Sequence, residues 1–82
     1  MSPDANDPQG WRLRLVGYGE VGRILAEDLS RQGVTDLAAY DTKLGTAAGA
    51  ELVAHAREYG IRLADSHAAL VADADLVISA VT

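Results

Sequence analysis

A glycine-rich hexapeptide constrains this chain more than any other feature. It is Gly17-Tyr18-Gly19-Glu20-Val21-Gly22, and it lies between an apolar run, 13–16, and a helix-like run, 21–31. Asp41 stands 19 residues after Gly22, at the end of a second apolar run. Strand, glycine turn, helix, strand and acid, in that order, are typical of a dinucleotide-binding βαβ unit. The alternative is a glycine turn that only joins a strand to a helix.

Each glycine has its own predicted role. Gly17 lets the chain turn sharply out of the strand, with a positive φ. Gly19 has no Cβ, so a pyrophosphate can approach the backbone, and Gly22 lets the helix press closely on the strand. The first N–H groups of the helix and its dipole favour an anion at the same point. Asp41 would then accept hydrogen bonds from the adenosine ribose hydroxyls.

Apolar periodicity and capping residues predict four strands and three helices. The strands are expected over 11–16, 35–40, 61–63 and 76–81, and the helices over 20–32, 46–59 and 67–71. This alternation predicts an α/β fold, namely a Rossmann-type parallel sheet in the order 3-2-1-4 with flanking helices. The ligand is expected at the carboxyl ends of the strands.

Composition excludes several functional classes. The 82 residues suffice for one small domain, and the absence of Cys excludes a disulfide framework and a thiol nucleophile. A net charge of −5 argues against general nucleic-acid binding. No run approaches the roughly 20 apolar residues of a membrane span, and no secretory signal is visible. We therefore expect a cytoplasmic protein with neither a nucleic-acid nor a membrane partner.

The run 76–81 is apolar, carries no charge or proline, and is typical of an interior strand, although the chain ends directly after it. We therefore expect the sequence to be a fragment of a longer protein. The open edge of this strand is predicted to be covered by a second copy, giving a homo-oligomer, or by a missing C-terminal domain. The alternative is an edge strand that completes a very small domain.

Three segments, 17–22, 38–41 and 74–81, resemble the N-terminal NAD(P)-binding domain of the 6-phosphogluconate dehydrogenase-like and 3-hydroxyisobutyrate dehydrogenase-like (β-hydroxyacid dehydrogenase) proteins. The likeness covers about residues 11–82, after an expected flexible tail, 1–10. It implies an oxidoreductase that transfers hydride between a nicotinamide cofactor and a small hydroxyacid-type substrate. Many members have Met at the position of Val21. The family's catalytic lysine and its all-helical domain lie farther along, so this chain is expected to bind cofactor without catalysing.

The fingerprint and the resemblance together predict the cofactor site. Its expected residues are Gly17, Tyr18, Gly19, Glu20, Val21, Gly22, Asp41, Thr42, Lys43, Ala80, Val81 and Thr82. By resemblance, the turn residues 18, 20 and 21 lie beside the pyrophosphate, and 80–82 form the strand end beside the cofactor. No catalytic residue and no metal ligand is predicted in this chain. NAD is the expected cofactor, since a carboxylate at Asp41 repels a 2′-phosphate. NADP remains possible, because Lys43 could offset that repulsion.

A second function class uses the same motif. A regulatory NAD-sensing module of a transporter or channel also has a glycine turn and an acid after its second strand. The full helix expected over 46–59 favours the dehydrogenase. Arg12 and Arg14 are predicted to be solvated rather than functional. His55 and His67 are not predicted to bind a metal, because neither has a second ligand at metal spacing.

Overall fold

The computed structural model describes residues 10–81. The predicted tail up to residue 9, and Thr82, lie outside the described residues. The strands are β1 (Arg12–Val16), β2 (Asp36–Tyr40), β3 (Arg62–Leu63) and β4 (Leu76–Ser79). The helices are α1 (Glu20–Arg31), α2 (Ala50–Tyr59) and α3 (His67–Val71), and a short 3₁₀ turn, Ala47–Gly49, leads into α2.

The four strands form one parallel sheet in the order β3-β2-β1-β4. The predicted α/β Rossmann-type sheet with flanking helices is therefore confirmed. In the central strand, Leu15 lies opposite Ala39 of β2 and Ile78 of β4. The strand order reverses between β1 and β4. In open parallel sheets, ligands bind in a crevice at the carboxyl edge at such a point of reversal.

The core lies between the sheet and the helices. Leu13 and Leu15 of β1 are buried against Ala26 of α1, and Leu52 and Ala56 of α2 complete this layer. α3 packs on β1 and β2. Because its crossover runs back across the sheet, right-handedness places α3 on the face opposite α1 and α2. None of the helices within residues 10–81 has the length and apolar character needed to cross a membrane.

The second helix starts later than predicted. The expected helix 46–59 begins as a 3₁₀ turn, and regular α-helix starts only at Ala50. Thr46 does not cap it with its side chain; instead the Thr46 hydroxyl donates a 2.5 Å hydrogen bond to the Lys43 carbonyl. Gly49 is packed so closely on that carbonyl that a Cβ would collide with it. These contacts fold the segment after β2 tightly before α2 begins.

The prediction that Arg14 is solvated was wrong, whereas Arg12 is exposed as expected. The Arg14 side chain is fully buried, and its Nη1 donates to the carbonyl and the carboxylate of Asp36, each at 3.0 Å. Its Nη2 donates to Asp73 at 3.1 Å. Two carboxylates compensate the buried charge, and a planar guanidinium can bond both at once. The amino ends of β1 and β2 are thereby tied to the turn before β4.

Candidate cofactor-binding site

The glycine turn leaves β1 at the carboxyl edge of the sheet. Gly17 has a φ of +96°, and its N–H donates to the Tyr40 carbonyl at 2.8 Å. A Cβ on Gly17 would lie 3.1 Å from the Ala80 carbonyl group, and one on Gly22 would collide with the Gly17 carbonyl oxygen. Both glycines are therefore needed for the turn to pack on its neighbours.

Gly19 differs from the other two glycines. A Cβ there would have only the Lys43 Nζ nearby, at 3.8 Å. The open side of the turn is thus at Gly19, which is also the N-cap of α1. The Arg23 N–H donates to the Gly19 carbonyl at 2.9 Å, so the N–H groups of residues 20–22 precede the first intrahelical bond. These donors and the helix dipole favour an anion beside Gly19.

A cleft of about 330 Å³ opens at this edge, within the rough size range of small-molecule sites. It brings together the glycine turn, the segment after β2 and the end of β4. Its lining residues are Val16, Gly17, Gly19, Tyr40, Asp41, Thr42, Lys43, His67, Ala80 and Val81. Seven of the residues predicted from sequence therefore lie in one cavity.

The Asp41 carboxylate is held in place by the backbone. Its Oδ2 accepts from the Tyr18 N–H and its Oδ1 from the Lys43 N–H, both at 2.9 Å. Partial burial acts to raise the pKa of Asp41, but the hydrogen bonds from Lys43 and Tyr18 and the Lys43 charge together lower it below its ordinary value. Asp41 therefore faces the cleft as a fixed anion, and each oxygen keeps capacity for another hydrogen bond.

Tyr18 does not place its side chain in the cleft. The ring is fully buried, and its hydroxyl is hydrogen-bonded to His55 Nδ1 of α2. The two rings meet edge to face, with their centroids 5.3 Å apart. Burial raises the pKa of Tyr18 to about 12. Tyr18 thus contributes to the site through its backbone N–H, which holds the Asp41 carboxylate, and its side chain anchors the turn on α2.

Glu20, Val21 and Gly22 lie in the first turn of α1 and do not line the cleft. Glu20 and Val21 are exposed, and Gly22 is buried. These residues can therefore bind a phosphate through their backbone N–H groups but not through their side chains.

His67 lines the cleft although the sequence analysis gave it no part in the site. Its ring contacts Tyr40 edge to face, with centroids 4.6 Å apart and an interplanar angle of 68°. The sequence signal that could have found it is positional. α3 follows β3 after three residues, so its first residue returns to the same carboxyl edge.

A parallel sheet in this order, with a glycine turn after the first strand and an acid after the second, defines a Rossmann-type dinucleotide-binding domain. The chain belongs to the family described as NADP oxidoreductase, coenzyme F420-dependent, whose model matches residues 12–82. It is thus an NAD(P)-binding oxidoreductase domain. No curated protein and no solved structure matches the chain.

Proposed function

We propose that the cleft binds the adenosine diphosphate part of a nicotinamide dinucleotide. The observation that carries this is the open backbone at Gly19, beside the free N–H groups of α1 and the fixed Asp41 carboxylate. The pyrophosphate would lie over Gly19, and Asp41 would accept hydrogen bonds from the adenosine ribose. The bound nicotinamide would supply or accept the hydride. No residue of the cleft is proposed as catalytic.

We further propose NAD as the preferred form. An ionised Asp41 accepts from a 2′-hydroxyl and repels a 2′-phosphate. The family description names NADP and coenzyme F420 instead, and the exposed Lys43 provides the charge that a 2′-phosphate needs. Calorimetric titration with NAD, NADP and coenzyme F420 separates these possibilities. Asp41→Ala should narrow the preference for NAD. Equal or tighter binding of NADP by the unmodified protein would refute the proposed preference.

The Gly19→Val variant tests the phosphate site. A branched side chain there fills the space that the pyrophosphate needs, whereas among the described residues its Cβ would approach only the flexible end of Lys43. We expect dinucleotide binding to be lost while the thermal midpoint changes little. Ala54→Val introduces the same β-branched side chain at an exposed position of α2, away from the cleft, and should bind dinucleotide normally. Normal binding by Gly19→Val would show that the phosphate lies elsewhere.

The substrate proposal rests on the resemblance to the β-hydroxyacid dehydrogenases. The family match supports the oxidoreductase domain but not that narrower family, so a hydroxyacid-type substrate remains a proposal. The match does not favour the alternative, a regulatory module of a transporter or channel. Hydride transfer from reduced cofactor, assayed over a panel of 2-oxo and 3-oxo acids with the protein as expressed from its whole gene, tests the substrate class.

A further inference from the structure

We propose that His67 is the residue on which the purine base of the dinucleotide packs. This inference rests on the proposed dinucleotide function and adds a contact residue to the same cleft. Neither the glycine fingerprint nor the acid after β2 points to it. Its position along the sheet edge and the chemistry of its ring carry the inference.

The order of the strands fixes the direction of the ligand. Along the carboxyl edge, Asp41 follows β2, the glycine turn follows β1, and Ala80 follows β4. With the pyrophosphate at the turn and the ribose at Asp41, the base must continue away from β4. His67 lies at that end of the cleft, where its ring contacts Tyr40, the last residue of β2. The nicotinamide half would lie toward Ala80.

The backbone of His67 is held firmly at this point. Ser66 caps α3: its Oγ accepts from the Ala69 N–H at 3.1 Å, and its carbonyl accepts from the Leu70 N–H at 3.0 Å. Leu70 is buried and anchors the helix on the sheet. A side chain at position 67 is therefore presented to the cleft from a fixed Cα, which lowers the entropy cost of binding.

The surroundings of the ring suit a flat, uncharged partner. Among the ten residues that line the cleft, His67 and Tyr40 carry the two aromatic rings. Tyr40 meets the His67 ring edge to face and supports it, and the imidazole itself is exposed. Bases stack on such rings irrespective of sequence because every base has a π face. The three other polar side chains that line the cleft belong to residues 41–43, which directly follow β2.

Calorimetric titration of His67→Ala and His67→Phe with NAD and with ADP tests this inference. We expect His67→Ala to weaken both ligands by the same factor, about tenfold, because both contain the adenosine part. His67→Phe should restore most of the affinity, because it keeps a flat ring. Val71→Ala, an exposed residue of the same helix, should bind like the unmodified protein. Thermal midpoints show whether each variant is folded.

The outcomes distinguish failure of the His67 assignment from failure of the proposed dinucleotide function. If the unmodified protein binds neither NAD, NADP nor ADP, the proposed function fails. If it binds them and His67→Ala binds them equally well, the function stands and the role of His67 is overturned. A loss for NAD with ADP unchanged would also overturn it, since His67 would then contact the nicotinamide half.

Discussion

At the scale of single residues, the Asp41 carboxylate joins the two halves of the site. Its oxygens accept from the Tyr18 N–H in the glycine turn and from the Lys43 N–H in the next loop. The hexapeptide and the acid are therefore bonded to each other before any ligand arrives. This contact was not predicted, since the sequence analysis assigned Asp41 only to the ribose.

Asp41 makes stability depend on acid pH. Its pKa in the folded protein lies below the ordinary value of 3.8, so its contribution is complete above that value and is lost as pH falls through the folded pKa. The pKa values of Asp73 and Asp75 are also lowered, by Arg14 and Arg12 respectively, and act in the same direction. Asp41→Asn should therefore lower the midpoint at neutral pH and flatten the acid decline. An unchanged loss of stability at acid pH in Asp41→Asn would contradict this. Glu58→Gln, which removes an exposed acid from α2, is the control.

Lys43 contributes a positive charge to the cleft. Its ammonium group lies near Gly19 and acts on the Asp41 carboxylate. We expect Lys43→Ala to weaken NADP by about fivefold and NAD by less, because only NADP carries a 2′-phosphate and an exposed ion pair contributes modestly. Arg57→Ala, which removes an exposed charge from α2, controls for net charge. Equal losses for both cofactors would show that Lys43 acts on the pyrophosphate and not on a 2′-phosphate.

At the scale of elements, a polar network connects the glycine turn to both helices of one layer. Tyr18 bonds His55 of α2, and the Tyr59 hydroxyl donates to Glu27 of α1 at 2.7 Å. His55 stacks on Tyr59, and its Nε2 lies 3.6 Å from the Glu27 carboxylate, which is longer than a hydrogen bond. The turn is thus supported by residues far from it in the sequence.

Removing the Tyr18 hydroxyl should destabilise the fold measurably. Tyr18→Phe leaves His55 Nδ1 without its partner in a largely buried place, at a cost of about 1 kcal/mol. For a domain of this size, that corresponds to a midpoint lower by about 4–8 °C. Tyr40→Phe, at the partly exposed edge of the cleft, is the matched control. If both variants have the same thermal midpoint as the unmodified protein, the Tyr18–His55 hydrogen bond contributes nothing to stability.

The sequence predicted those elements whose signals are local. The fold followed from the alternation of strands and helices, and the bounds of α3 agree with the prediction because Ser66 caps it. The start of α2 was missed because it depends on how Gly49 packs on Lys43. The burial of Arg14 was missed for a similar reason, since Asp36 and Asp73 compensate its charge from distant positions. Tertiary contacts of this kind leave no periodic pattern.

At the scale of the whole molecule, β4 exposes apolar side chains that have no role in the cleft. Leu76 and Val77 are exposed to 39% and 43%, and Val21 and Ile24 on α1 are exposed as well. An apolar strand with an open edge is a template for pairing. We propose that a second copy or further residues of the protein cover this edge, as the sequence analysis predicted.

Light scattering tests this proposal on the 82-residue chain. We expect concentration-dependent association of the unmodified chain, and a shift toward monomer for Val77→Lys, because a charge blocks strand pairing. Ala68→Lys adds the same charge at an exposed position of α3 and should leave the association unchanged. A monodisperse, stable monomer of the unmodified chain would refute the proposal.

The two arginines of β1 imply an uneven response to ionic strength. The Arg12–Asp75 pair is exposed to 48% and 38%, so salt should screen it, whereas the buried Arg14 is shielded from mobile ions. Arg14 acts at the amino edge of the sheet, and the cleft lies at the opposite edge. Added salt should therefore weaken a bound phosphate well before it loosens the sheet. A salt series of affinities can accordingly be interpreted as electrostatics of the ligand rather than as partial unfolding.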